Sequence, residues 1–226
     1  ILRVDAPAFI WKQMGTSCQN LPQAHTILQL IKVALQVAAP GMAILGEAIV
    51  APHEIMDYFG KGYMTNKECD LAYNAAQMAL QWDALATTDT RNMIANQEII
   101  QQKPLGATWI NYVRCHDDIG LSFDDRYLER LGYTPFLHRE YLKNYYAGHI
   151  DTSPSKGQLF AVNPKTNDAR ISGSLASLCG LEKAISYQNT NAIETSMNKI
   201  LLMQANSILL NGIPMVFYGD EVGYTH

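Results

Sequence analysis

The 226-residue sequence has no run of about 20 apolar residues, the length a bilayer-spanning helix needs, so no segment is expected to cross a membrane. It has no cluster of lysine and arginine, and its formal charge of -4 leaves no electrostatic footprint for nucleic acid. Cysteine is sparse. Cys18, Cys69, Cys115 and Cys179 lie far apart with no C-x-x-C pair, which argues against a disulfide framework and a zinc site and leaves reduced, mostly buried thiols. Charged residues make up only 17% against 48% apolar, a balance that excludes disordered and collagen-like chains and suits a globular protein with a large core. An initiating methionine and a signal peptide are lacking too. The chain opens inside an apolar run at Ile1-Leu2-Arg3 and closes at His226 with no stop signal, so it reads as an excised piece. Its location is unknown, with the cytoplasm the favoured default.

What is present are three short segments that each set a carboxylate just after an apolar run: Leu2-Arg3-Val4-Asp5-Ala6, Gly46-Glu47-Ala48 and His116-Asp117-Asp118. A lone acidic residue after a strand is ordinarily a turn residue or helix cap. Three at successive strand ends point instead to paired-carboxylate chemistry of the glycoside-processing kind. Residues two apart in a strand share a face, so Arg3 is expected beside Asp5, keeping that carboxylate ionised as a nucleophile must be. Glu47 is expected in an apolar collar of Leu45, Ile49 and Val50 with another carboxylate near, a setting that raises a carboxyl pKa and suits a proton donor.

Apolar runs read as parallel strands end near Asp5, Glu47, Tyr73, Cys115 and Tyr218, with helical patterns between most of them. The first helix is expected to start at Asn20 as N-cap, with Pro22 in its first turn and Ile27, Leu28, Ile31, Ala34, Leu35 and Ala38 on one face, and to stop at Pro40-Gly41. Met42 to Leu45 then forms a buried strand. A second helix runs from about Asn74 through Ala86, followed by a polar stretch, and Trp109 to Val113 forms the strand that delivers His116 and Asp117. Asn191 and Glu194 are read as a capping pair for the last helix, which stops at Asn211-Gly212 before a final strand, Pro214 to Tyr218. A (β/α)₈ barrel allots roughly 31 residues to each unit. On that measure the chain reads as α/β, a partial (β/α)₈ TIM-type barrel of about strands 4 to 8, with a subdomain inserted after strand 7. The expected boundaries are 1–118 for second-half barrel units, 119–182 for an inserted α+β subdomain on a barrel loop, and 183–226 for the last helix and strand. The insertion is rich in tyrosine (Tyr127, Tyr133, Tyr141, Tyr145, Tyr146) and carries a hairpin signal, Gln158 to Val162 and Ala169 to Ser172 around an Asn-Pro-containing turn.

These motifs resemble those of the α-amylase superfamily of retaining glycosidases, and Phe9 to Cys18, Leu21 to His25, Asn111 to Gly120 and Phe217 to Gly223 resemble its amylosucrase family in particular. The resemblance implies roles residue by residue. Asp5 would be the nucleophile, Glu47 the general acid/base and Asp117 the carboxylate that stabilises the transition state. Arg3 and His116 would bind the sugar or the nucleophile, and Asp118 and Arg170, the latter in Asp168-Ala169-Arg170-Ile171-Ser172-Gly173, would lie on the acceptor side. An acceptor role for Asp118 stands beside a structural one, and a solvated arginine is the ordinary reading of Arg170. Cys115 and His116, adjacent in a strand, are expected to point to opposite faces and not to act together. Asp220-Glu221 reads as a loop contact in preference to a metal site.

The function implied is retaining α-glucosyl transfer from sucrose to an α-1,4-glucan or oligosaccharide acceptor with release of fructose, needing no metal and no cofactor. A sucrose or α-glucan hydrolase is the enzymatic alternative. A non-catalytic truncated barrel remnant is the other, since five candidate strands cannot close an eight-stranded barrel, and their open edges would favour self-association.

Overall fold

The apolar runs around residues 44 and 71 are buried along their whole length, as strands of a parallel sheet covered on both faces must be. A computed structural model describes residues 1–121 and 123–225; His226, the expected cut end, lies outside the described residues. In chain order the elements begin with β1 (Leu2–Val4), α1 (Pro22–Ala38), β2 (Ile44–Gly46), β3 (Leu71–Tyr73), α2 (Ala75–Thr87), α3 (Arg91–Ile100) and β4 (Thr108–Tyr112). They continue with β5 (Ile119–Gly120), α4 (Asp125–Arg130), α5 (Pro135–Tyr146), β6 (Gln158–Phe160) and β7 (Arg170–Ser172). The last are α6 (Leu175–Cys179), α7 (Leu181–Ser186), α8 (Thr190–Leu209) and β8 (Ile213–Met215). Among the described residues no helix is long and apolar enough to cross a membrane. The chain forms two compact units, one of residues 1–74, 98–110 and 211–213, the other of 75–97, 111–210 and 214–226.

The first unit is built on a sheet of order β1-β2-β3-β4-β8, with parallel pairing from β1 through β4. Leu2, Arg3 and Val4 stand against Ile44, Leu45 and Gly46, and Leu45 and Gly46 against Leu71 and Ala72. On α1 the buried residues Ala24, Leu28 and Lys32 recur every four positions, one stripe of the helix. Lys32 is buried because it is paired: its ammonium lies 2.6 and 2.7 Å from the two oxygens of Asp70, and Asp70 also accepts the Ile44 amide at 2.7 Å. That contact ties α1 to the starts of β2 and β3. Asn20 is not the N-cap. Leu21 holds that position with no side-chain bond, and Asn20, in left-handed backbone, accepts instead from the Tyr58 hydroxyl at 2.5 Å.

In the second unit α2 buries residues all round its surface, from Gln77 through Asp83, so it lacks the single apolar stripe of a surface helix. Trp82 is fully buried and donates through Nε1 to the Val113 carbonyl at 2.8 Å. Helix α3 occupies the stretch read as polar. Asp89 starts it by accepting from the Arg91 amide at 2.9 Å, and its inward face includes Asn92 and Asn96, whose amides bond to each other and to Asp83. Buried asparagines conceal a helix from hydropathy. The cap of α8 is Asn189, which accepts from the Ala192 amide at 3.1 Å, in place of the expected Asn191 and Glu194. The expected hairpin is present as β6 and β7, joined by β5 in an antiparallel sheet of order β5-β7-β6. Tyr127 and Tyr146 are packed inside, and the Tyr141 hydroxyl donates to the Ala86 carbonyl at 3.0 Å.

Candidate active site

Parallel pairing brings the ends of β1 and β2 level. Val4 is opposite Gly46, and the Glu47 amide donates to the Val4 carbonyl at 3.1 Å, so Asp5 and Glu47 leave adjacent strands side by side. After Asp5 the chain turns sharply: Ala6 has φ 40 and ψ 49, a left-handed conformation that costs a residue with a Cβ about 1–2 kcal/mol. Gly46 is required for a different reason. A Cβ built there would meet the Cys69 sulfur at 2.7 Å.

Arg3 joins the two carboxylates. Its Nη2 lies 3.4 Å from Asp5 Oδ1 and forms a closer ion pair with Glu47 Oε2. Sequence spacing placed Arg3 with Asp5; the structure gives it both, with Glu47 the nearer, because Arg3 stands opposite Leu45, two residues before Glu47 on the neighbouring strand. Both oxygens therefore lie within polar contact of one guanidinium nitrogen. Their exposures differ sharply, 78% for the Asp5 side chain and 5% for that of Glu47. Leu45 and Val50 of the expected apolar collar are buried, and Ile49 is half-buried. The Arg3 guanidinium is held even more firmly in its charged form, first by the hydrogen bond to Glu47 and further by Tyr73. Tyr73, buried at the end of β3, is a site residue that charge patterning missed; only its place at a strand end marked it.

The second unit carries the other candidates. His116 Nε2 is 3.7 Å from Asp117 Oδ1, and both side chains are about half exposed. Asp118 is half-buried and leads directly into β5, where Gly120 pairs with Arg170 on β7. The small sheet thus sets Arg170 one strand away from the end of the His116-Asp117-Asp118 segment. Strand alternation does not separate Cys115 from His116, since β4 ends at Tyr112. The Cys115 sulfur, a His116 ring nitrogen and an Asp117 oxygen lie within 4.8 Å of one another. Those three donors could hold a metal ion, one fewer than a closed structural zinc site takes. Asp220 and Glu221 take partners of their own: Asp220 pairs with Arg114 at 3.0 Å, and Glu221 accepts from the Gly219 amide at 2.7 Å.

No family model matches the chain. It is 26% identical over 226 residues to a trehalose synthase/amylase of Mycobacterium tuberculosis, covering 98% of this chain and 31% of that protein. Over 121 residues it is 31% identical to the glucosylglycerate phosphorylase of Escherichia coli, covering 54% of this chain and 21% of that protein. The chain thus spans at most about a third of the length of these curated relatives. The crystal structure of sucrose 6F-phosphate phosphorylase from Thermoanaerobacter thermosaccharolyticum superposes with a TM-score of 0.65 at 19% identity, covering 99% of this chain and 38% of that one. That likeness is one of fold, α/β with a parallel sheet.

Proposed function

We propose that this chain, which belongs to the α-amylase superfamily with the relatives just described, contributes about strands 4 to 8 of a (β/α)₈ barrel and the core of a retaining α-glucosyl-transfer site. The observation that supports this reading is the single guanidinium shared by one exposed and one buried carboxylate at adjacent parallel strand ends. Asp5 attacks the anomeric carbon of the donor while Glu47 protonates the departing oxygen; Glu47 then takes the proton of the acceptor hydroxyl as it displaces Asp5. Arg3 serves both stages. Shifting toward Asp5, it stabilises the ionised nucleophile and frees Glu47 to carry a proton. Asp117 stabilises the oxocarbenium-like transition state, and His116 binds the sugar. Asp118 and Arg170, at the edge of a subdomain inserted over 119–182, receive the acceptor.

The finer reading is an amylosucrase-like enzyme that takes sucrose as donor, extends α-1,4-glucan and releases fructose. The relative named as a glucosylglycerate phosphorylase favours a second reading, in which inorganic phosphate is the acceptor. Incubating the full-length protein with sucrose alone, with added glycogen and with added phosphate separates these readings from hydrolysis. Glycogen-stimulated fructose release with little free glucose supports transfer; glucose equal to fructose under all conditions supports a hydrolase. Arg170→Ala should then raise the glucose-to-glucan ratio several-fold and leave donor cleavage nearly unchanged. An unaltered ratio would return Arg170 to the solvated surface. No turnover of any α-glucosyl donor would leave the non-catalytic remnant.

A further inference from the structure

Asp220 is a charged residue that the reaction outlined above does not use, and it is one of the most deeply buried carboxylates in the chain, with 1% of its side chain exposed. Its Oδ1 accepts from Arg114 Nη1 at 3.0 Å, and the Leu175 amide also bonds to it. Arg114 is itself only 19% exposed, and its guanidinium lies 4.6 Å from the centroid of the Phe217 ring. Burying such a pair gains little stability, because desolvation offsets most of the attraction, and apolar residues of like volume often serve as well. Burial raises the Asp220 pKa, with Arg114 pulling it back.

The pair does have a definite place. Arg114 is two residues before His116 and three before Asp117, in the stretch between β4 and β5. That stretch is pinned before Arg114 by the Trp82 indole on the Val113 carbonyl, and after Asp118 by β5 pairing with β7. Between those two pins the main chain turns His116 and Asp117 out to half exposure. Arg114 is a side-chain tether there, and Asp220 is its anchor. The anchor stands on a rigid turn. Gly219 has φ 94, its amide is held by Glu221, and a Cβ on it would strike the Tyr224 ring at 2.4 Å.

We propose that Asp220 is a positioning residue for Asp117, its buried carboxylate acting through Arg114 to fix the turn that presents His116 and Asp117. The proposal rests on the assignment of Asp117 as the carboxylate that stabilises the transition state. A carboxylate displaced by about an ångström loses on the order of 100-fold in rate while the ground-state complex is little changed.

Two variants of the full-length protein test it: Asp220→Asn, which keeps the shape, and the pair Arg114→Met with Asp220→Leu, which leaves no buried ion behind if the first fails to fold. Two measurements are made on each. Amide exchange at residues 114–118 is expected to quicken about 10-fold relative to β7. Turnover of the donor is expected to fall 10- to 100-fold with KM within about 3-fold, and affinity for a planar, cationic sugar mimic of the transition state to fall in parallel with kcat, with substrate-analogue affinity retained. A merely structural pair would lower the melting temperature without dividing kcat from KM. A folded variant with wild-type exchange, or with wild-type kcat, overturns the positioning role. An inactive wild type whose variant still shows faster exchange overturns the functional assignment alone and leaves Asp220 as the anchor of the turn.

Discussion

At the ends of β1 and β2 the candidate carboxylates are organised by a cation: Arg3 bridges exposed Asp5 and buried Glu47, and Tyr73 from the next strand supports it. The His116-Asp117-Asp118 turn of the other unit is held from outside itself, by the Trp82 indole on the Val113 carbonyl, the Arg114–Asp220 pair and the β5–β7 pairing, with the His116 and Asp117 side chains half exposed and 3.7 Å apart. The two regions place the same chemical group by different means. In the first, removing the charge of Arg3 should cost stability as well as activity, whereas removing that of exposed Asp5 should cost activity alone. In the second, changes to the exposed His116 and Asp117 side chains should cost activity and little else.

The largest effects that could break this contrast are on turnover. In the full-length protein, and on the reading proposed above, Asp5→Asn and Glu47→Gln should each lower turnover of the glucosyl donor by about 1,000-fold or more, and only Glu47→Gln should accumulate a glucosyl enzyme from a donor whose leaving group needs no proton. Mass spectrometry of the trapped protein reads the difference. Asp5→Asn should leave the melting temperature unchanged, since its side chain is 78% exposed; retained turnover in either variant would remove the pair from the mechanism.

Next in size is Arg3→Met. Removing one partner of a fully buried ion pair costs about 3–5 kcal/mol, and with Arg3 partly exposed about 2 kcal/mol is expected. The double variant Arg3→Met with Glu47→Gln should recover more than half of that loss in denaturant unfolding, because the buried charge that lost its guanidinium is gone. Additive losses would mean that Arg3 does not hold Glu47. Gly46→Ala should cost about 1–3 kcal/mol by overpacking against the Cys69 sulfur, and adding Cys69→Ala should relieve most of it.

The smallest effect is common to both regions. Burial pushes the thiols of Cys69 and Cys179 from an ordinary 9.0 up to about 12, so the folded protein keeps protons that the unfolded chain releases. Their contribution to stability is complete below pH 9 and is lost as pH climbs toward 12. Melting curves at pH 8 and pH 10.5 should show a smaller drop in Cys69→Ala or Cys179→Ala than in Cys18→Ala, whose thiol pKa is lowered by bonds to Gln13 and Thr16.

Much of the parallel sheet was legible because buried strands read as short apolar runs, and β2 and β3 are buried without a break. Helix α3 was not, because Asn92 and Asn96 satisfy each other inside and leave no apolar stripe. The caps of α1 and α8 were misplaced by one and two residues, since several polar residues stand near each start and only backbone geometry selects among them. At the site, the strand-end positions of Asp5 and Glu47 were visible, but the preference of Arg3 for Glu47 depends on the register between two strands. Tyr73 carried no charge by which to find it. Arg170 came within one strand of the His116 segment through a β5–β7 pairing that two residues, Ile119 and Gly120, were too short to announce.

The close approach at Gly46 works as a reading frame for the sheet. A slip of β2 by one position would bring Leu45 or Glu47 to the place where the Cys69 sulfur leaves 2.7 Å, too little for any side chain. The same slip would turn Glu47 away from Arg3, because neighbouring residues of a strand face opposite ways. One missing side chain thus permits a single alignment of the strand, and that alignment decides which carboxylate the guanidinium meets.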